Sequence, residues 1–164
     1  MIQRIQSVYL LLVVVLGIVL CFVPVLQLTT PLDAGVQRMW ELSATGLTEQ
    51  TPSLDQLCLQ PAVLKGLWGL TISTLLIPLL AGIDLFLFKK RLLQARLNIF
   101  TVLLCVGYYG IIYLYGKLAA MSIGVEWHMT FWCAIPAVCA VLTLMATRRI
   151  LADEALVRSA DRIR

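Results

Sequence analysis

Residues 66–116, "GLWGLTISTLLIPLLAGIDLFLFKKRLLQARLNIFTVLLCVGYYGIIYLYG", decide the fold. Two apolar blocks, 66–88 and 97–116, flank a short basic joint, and a single acid, Asp84, interrupts them. A helix needs about 20 apolar residues to cross a hydrocarbon core, and each block has that length. Spans joined by so short a segment must run antiparallel. No Gly or Pro lies between Ile83 and Gly107 to mark the reversal, which is therefore expected near residues 91–94, on helices that project past the lipid.

Working outward, residues 6–28 and 129–147 form two more blocks of the same kind. The whole chain of 164 residues is 60% hydrophobic and 13% charged, with a mean hydropathy of +0.91. Soluble domains average about 45–50% and about 25%. The expected fold is an all-α membrane protein, a single domain built as a four-transmembrane-helix bundle. Residues 6–28 follow Arg4 as a secretory signal would, but the run is too long and lacks a small-x-small cleavage site. It is expected to stay as an anchor.

The net charge of +4 is distributed by side rather than gathered in a patch. Arg4, then Lys89, Lys90, Arg91 and Arg96, then Arg148, Arg149, Arg158, Arg162 and Arg164 all fall on one side of the proposed bundle. Arg38, Lys65 and Lys117 fall on the other. This asymmetry is the positive-inside bias, so both termini and the middle joint are expected in the cytoplasm. The basic residues report topology, which excludes a nucleic-acid ligand as their explanation.

The outer loop, 29–65, carries a small strand element: Trp40, Leu42 and Ala44 alternate with Glu41, Ser43 and Thr45, a period of two. Gly46 follows as a turn, and residues 51–59 read as a short helix. Tyr108, Tyr109, Tyr113 and Tyr115, and likewise Trp127, His128 and Trp132, suit the membrane interface; a tyrosine-lined ligand site is the functional alternative. On the fourth span Cys133, Ala137 and Ala140 share a face on which helices can approach closely. None of the five cysteines has metal-ligand spacing. Cys21 and Cys58 both lie towards the outer side, and whether they form a disulfide is left open.

Asp84 is the sole acid within a span. Ionisable groups there are costly and mark ion or proton pathways, whereas a carboxylate reaching outward to the Lys89–Arg91 joint would be structural. From Ala137 to Arg164 there is no Gly or Pro, so span four is expected to continue as a cytoplasmic helix over 148–164. Arg149 with Asp153, and Glu154 with Arg158, stand four apart, and Arg158 with Asp161 three apart, which supports an exposed helix. Ala152, Leu156, Ala160 and Ile163 form a narrow apolar stripe that its own basic joint, the membrane surface or a protein partner would cover.

The start "MIQRIQSVYLLL", the end "DEALVRSADRIR", and the segments "FKKRLLQARLN" and "IPAVCAVLTLMATRRI" resemble a family of small four-span inner-membrane proteins of Bacteroidota designated only by a domain of unknown function. That resemblance implies a bacterial cytoplasmic membrane with periplasmic outer loops, and no activity. A fainter likeness is to claudin-type tetraspan proteins, which share four spans and a large first outer loop with a strand and a tryptophan. They carry a cysteine pair in that loop, where this chain has only Cys58.

The leading expectation is a non-enzymatic accessory or scaffold subunit, with no cofactor, metal or catalytic residue. It would contact a protein partner through Leu156, Arg158, Asp161, Arg162 and Ile163. A small transporter or channel component using Asp84, as a homo-oligomer if required, is the alternative. A membrane enzyme acting on a lipid-linked substrate comes last, since one histidine and no nucleophile motif offer it little.

Overall fold

A proline ends the first helix, and the strand that follows organises one end of the molecule. The computed structural model describes residues 3–29, 39–49, 68–87 and 91–161. These form helices α1 (Gln3–Phe22), α2 (Trp68–Phe86), α3 (Arg91–Ile123) and α4 (Ile135–Asp161), and strands β1 (Leu26–Thr29), β2 (Met39–Ser43), β3 (Gly46–Glu49) and β4 (Glu126–Met129). A 3-10 turn, Phe131–Ala134, leads into α4. Helix dominates, and three segments are long and apolar enough to cross a membrane: Trp68–Phe86, Leu92–Met121 and Phe131–Ala155.

Packing follows helical periodicity. On α1, Leu10, Val13 and Leu20 are buried while Leu11, Val15 and Ile18 are exposed on the other face. Exposed large apolar side chains such as Leu75, Leu103 and Val141 continue this covering on the other helices, the exterior that lipid tails would contact. Helix α1 packs on α2 and α4, and α3 packs on the same two, which closes a four-membered ring.

At the end where α1 and α3 finish, the strands pair antiparallel in the order β3-β2-β1-β4. Leu28 stands opposite Trp40 on one side and Trp127 on the other. Leu26, Leu28, Trp40 and Leu42 are buried against the bundle, whereas Gln27 Nε2 on the outer face donates to Glu41 Oε1 at 3.2 Å. Gly46, at φ 145°, turns β2 into β3 in a backbone region that favours glycine. Thr71 Oγ1 donates to the Ala44 carbonyl at 2.8 Å, tying the start of α2 to the sheet.

Several boundaries differ from the sequence reading. The fold is mostly helical as expected, and the small outer-loop strand element belongs to a four-stranded sheet. Helix α1 stops at Phe22 rather than near 28, because Pro24 has no N–H to donate and residues 26–29 pair as β1. The reversal expected at 91–94 does not fall there, since α3 already begins at Arg91; α3 also runs to Ile123, beyond the expected 116. Residue 129 belongs to β4 rather than to a helix. Pro136 sits in the first turn of α4, where its missing N–H costs nothing. From there α4 passes 147 unbroken to Asp161, as the lack of breakers predicts. The 51–59 segment, Lys89 and Lys90 lie outside the described residues.

Gly17 is where α1 and α2 come closest: a Cβ there would lie 2.9 Å from Pro78 Cβ. Gly82, one turn beyond Pro78 on α2, has open space around its Cβ position. Gly17→Ala is therefore expected to destabilise the protein by about 1–3 kcal/mol through overpacking. Gly82→Ala is expected to be neutral or to gain up to about 1 kcal/mol from helix propensity. Thermal unfolding of both variants in detergent checks the contrast.

Candidate functional site

The buried stripe of α3 reads Gln94, Asn98, Thr101, Cys105, Tyr108, Ile112. Its steps alternate four and three, the spacing that keeps one helical face inward. In most bundles such a stripe is aliphatic; here the half remote from the sheet is polar. The other helices bring polar side chains to the same end: Gln6 from α1, Asp84 from α2, and Thr143 and Thr147 from α4, all buried.

Contacts fix their relative heights. Gln94 Nε2 donates to the Asp84 backbone carbonyl at 3.1 Å, and Asn98 lies one turn further along α3, towards the sheet. Cα–Cβ bonds tilt towards a helix N-terminus. In the antiparallel pair α2 and α3, the Asp84 side chain thus leans towards the sheet and that of Asn98 leans away from it, without a hydrogen bond between them.

Hydroxyls in the cluster spend their protons on their own helices: Thr101 on the Leu97 carbonyl (3.0 Å), Thr143 on Cys139 (2.7 Å) and Thr147 on Thr143 (2.8 Å). Within this cluster five buried atoms have no hydrogen bond among the described residues: both Asp84 carboxyl oxygens, Asn98 Oδ1 and Nδ2, and Gln6 Nε2. Asp84 and Asn98 are each 0% exposed. Leaving a buried polar group unpaired costs about 1–3 kcal/mol, and more for a charge.

Towards the sheet the column narrows to one polar contact, Thr74 Oγ1 to Tyr108 Oη at 3.3 Å. Leu70 and Ile112, one turn beyond, are fully buried and apolar. The polar cluster is sealed from the sheet end, and the end carrying Arg91 and Arg148 is its shorter route to water.

Asp84 is fully buried, and the Lys89–Arg91 side chains to which a structural carboxylate would reach lie outside the described residues. Sequence inspection missed Gln6, Gln94 and Asn98 because it searched for charge; the four-and-three spacing on α3 was the available signal. The tyrosines make separate contacts: Tyr108 meets Thr74, Tyr109 donates to the Cys133 carbonyl at 2.7 Å and accepts the Ala137 N–H at 3.1 Å, and Tyr113 meets Trp127 edge-to-face at 5.9 Å. Tyr108 is wholly buried, not interfacial.

Elsewhere, Glu126 Oε2 and His128 Nε2 stand 4.0 Å apart on β4 with both side chains exposed. No cluster of His, Cys, Asp or Glu suited to a metal occurs among the described residues. Cys21 is a free thiol that donates to the Gly17 carbonyl at 3.4 Å; Cys58 lies outside the described residues. On α4 the buried face runs through Ile135, Cys139, Thr143, Ala146 and Ile150; of the small-residue face, Cys133 is buried, Ala140 half-buried and Ala137 exposed. Residues 156–161, including Leu156, Arg158 and Asp161, are helical, but their side chains, and all of Arg162 and Ile163, lie outside the described residues.

The chain belongs to the family described as Domain of unknown function (DUF4293), whose model matches residues 2–163. No curated protein matches it. That description assigns no activity, so the Asp84–Asn98 cluster has to be judged by its own chemistry.

A cluster kept for stability should lose stability when made apolar; one kept for function should not. Replacing buried polar or ionic groups by apolar residues of similar volume is often neutral or stabilising by about 1–4 kcal/mol. The double variant Asp84→Leu, Asn98→Leu is expected to unfold in detergent at the wild-type temperature or above. A marked drop would identify the cluster as glue between helices.

Proposed function

We propose that the protein is a four-span integral membrane protein, α1 being the additional span, that handles a small cation or proton at Asp84 as a compact transporter or channel component. One observation carries this reading: Asp84 is fully buried within a helix bundle and its carboxyl oxygens have no partner among the described residues. An ionisable group so placed is expensive, and groups of this kind mark ion and proton pathways. Pro78 supports it, because it leaves α2 without one backbone hydrogen bond six residues before Asp84. The basic residues set the end remote from the sheet in the cytoplasm, and the resemblance to Bacteroidota proteins sets the sheet in the periplasm. Ions would then reach Asp84 from the cytoplasmic side.

Purified protein in proteoliposomes is expected to carry an Asp84-dependent flux of protons or monovalent cations, and Asp84→Asn should reduce it to the level of empty vesicles. Equal flux in both would dismiss Asp84.

A second reading, the accessory subunit, is favoured by the unbroken run of α4. Residues 148–161 extend the helix by roughly 21 Å past 147, far enough to meet a partner outside the membrane. Asp84 would then tune the bundle rather than carry an ion. Co-purification in mild detergent separates the two: a stoichiometric partner held by the full chain and lost from a chain ending at Arg149 supports docking. Retention by both forms would remove the tail from consideration.

A further inference from the structure

We propose that α2 is hinged at Pro78, and that residues 79–86 swing away from the bundle to open Asp84 to water at the end remote from the sheet. The purpose of the motion rests on reading Asp84 as the functional centre; the motion itself is read without flux.

The hinge has two parts. Pro78 has no N–H, so the Thr74 carbonyl loses its helical donor, and a proline ring inside a helix kinks it. One turn earlier, Ser73 Oγ and Thr74 Oγ1 both donate to the Leu70 carbonyl, at 2.9 and 2.7 Å. Such back-bonding competes with the helical ladder and bends helices. Pro78 rests on Gly17 of α1, where a Cβ would lie 2.9 Å from it, so the pivot is bare backbone.

The two halves are held unequally. Before the hinge, Thr71 Oγ1 is tied to the Ala44 carbonyl and Thr74 Oγ1 to Tyr108, and Leu70 and Ile77 are fully buried. Beyond Pro78 only Ala81 and Asp84 are buried. Leu79, Ile83 and Phe86 are exposed, Leu80 and Leu85 are half-buried, and nothing lies within 4 Å of a Cβ built on Gly82. Few buried apolar contacts mark a segment that opens before the rest of its fold. The hydrogen bond from Gln94 Nε2 to the Asp84 backbone carbonyl, 3.1 Å, is its latch to α3.

The closed form also carries a cost that opening relieves. Both Asp84 carboxyl oxygens are buried without a hydrogen bond among the described residues, and such groups are costly until water reaches them. The sheet end stays shut, because Leu70 belongs to the fixed half.

Thiol labelling of the full chain in lipid nanodiscs reads the motion. Ala81→Cys puts a thiol on the inward face of the moving half, and Ile77→Cys puts one on the fixed half a turn earlier. A charged methanethiosulfonate is applied and adducts are mapped by mass spectrometry, with native Cys105, 1% exposed, as the buried reference. Ala81→Cys is expected to react faster than both Ile77→Cys and Cys105. Adding Gln94→Leu should speed that reaction roughly fivefold, the effect of losing one hydrogen bond. Adding Pro78→Ala should slow it, a direction that loosening of the fold does not produce. A thiol at position 81 as inert as Cys105, equal rates at 77 and 81, or an unchanged rate with Pro78→Ala would each overturn the hinge. The expected labelling without Asp84-dependent flux leaves the hinge standing and removes the transport reading. Asp84-dependent flux with an inert thiol at 81 does the reverse.

Discussion

The pairing of β1 with β4 is the interaction on which the rest depends. It joins the segment after α1 to the segment between α3 and α4, with Leu28 opposite Trp127, and the Thr130 N–H extends it by donating to the Val25 carbonyl at 3.2 Å. Trp127 can take that register only because Gly116 on α3 has no side chain: a Cβ there would sit 2.8 Å from the indole. Tyr109 then anchors the first turn of α4 through its two hydrogen bonds. Three helix ends are fixed relative to one strand pair, and the rotation of α3 that turns Asn98 inward follows from it.

Much of this was readable in the sequence, and the failures have physical causes. The apolar blocks announce the helices, and the alternation after Met39 announces β2, because both signals are local. Gly46 and the unbroken tail of α4 were legible for the same reason. The strands β1 and β4 were not, since "LQLT" and "EWHM" are four residues each and acquire meaning only from their pairing partners, which for the two of them lie about a hundred residues apart. The first span was extended past Pro24 to 28 because the apolar run continues beyond it. The site was half legible: Asp84 drew attention as the charge in a span, whereas Gln94 and Asn98 are neutral, sit beside a basic joint, and differ from a surface pair only in register. Which face of α3 is buried is a tertiary fact.

A bundle with an apolar exterior gains nothing in stability from an enclosed carboxylate. Its polar half and its sealed half therefore ask for separate explanations. The sealed half, from Tyr108 to the sheet, is packing and closure. The polar half holds one acid, three amides and hydroxyls already committed to their own helices. The helical extension of α4 is compatible with this chemistry, because a partner outside the membrane and a titrating group within the bundle can belong to one device. Membership of a family with no assigned activity leaves that chemistry as the firmest lead.

Asp84 as an enclosed carboxyl that takes up a proton or small cation is tested most directly with an apolar carbodiimide, applied to the folded protein in its membrane at neutral pH, with the adduct mapped by mass spectrometry. Carbodiimides must take a proton from the carboxyl they modify, and an apolar one partitions into the bundle rather than the water. The expected result is modification concentrated at Asp84, with the exposed Glu126 left largely unreacted. Adducts on Glu126 with Asp84 untouched would contradict it.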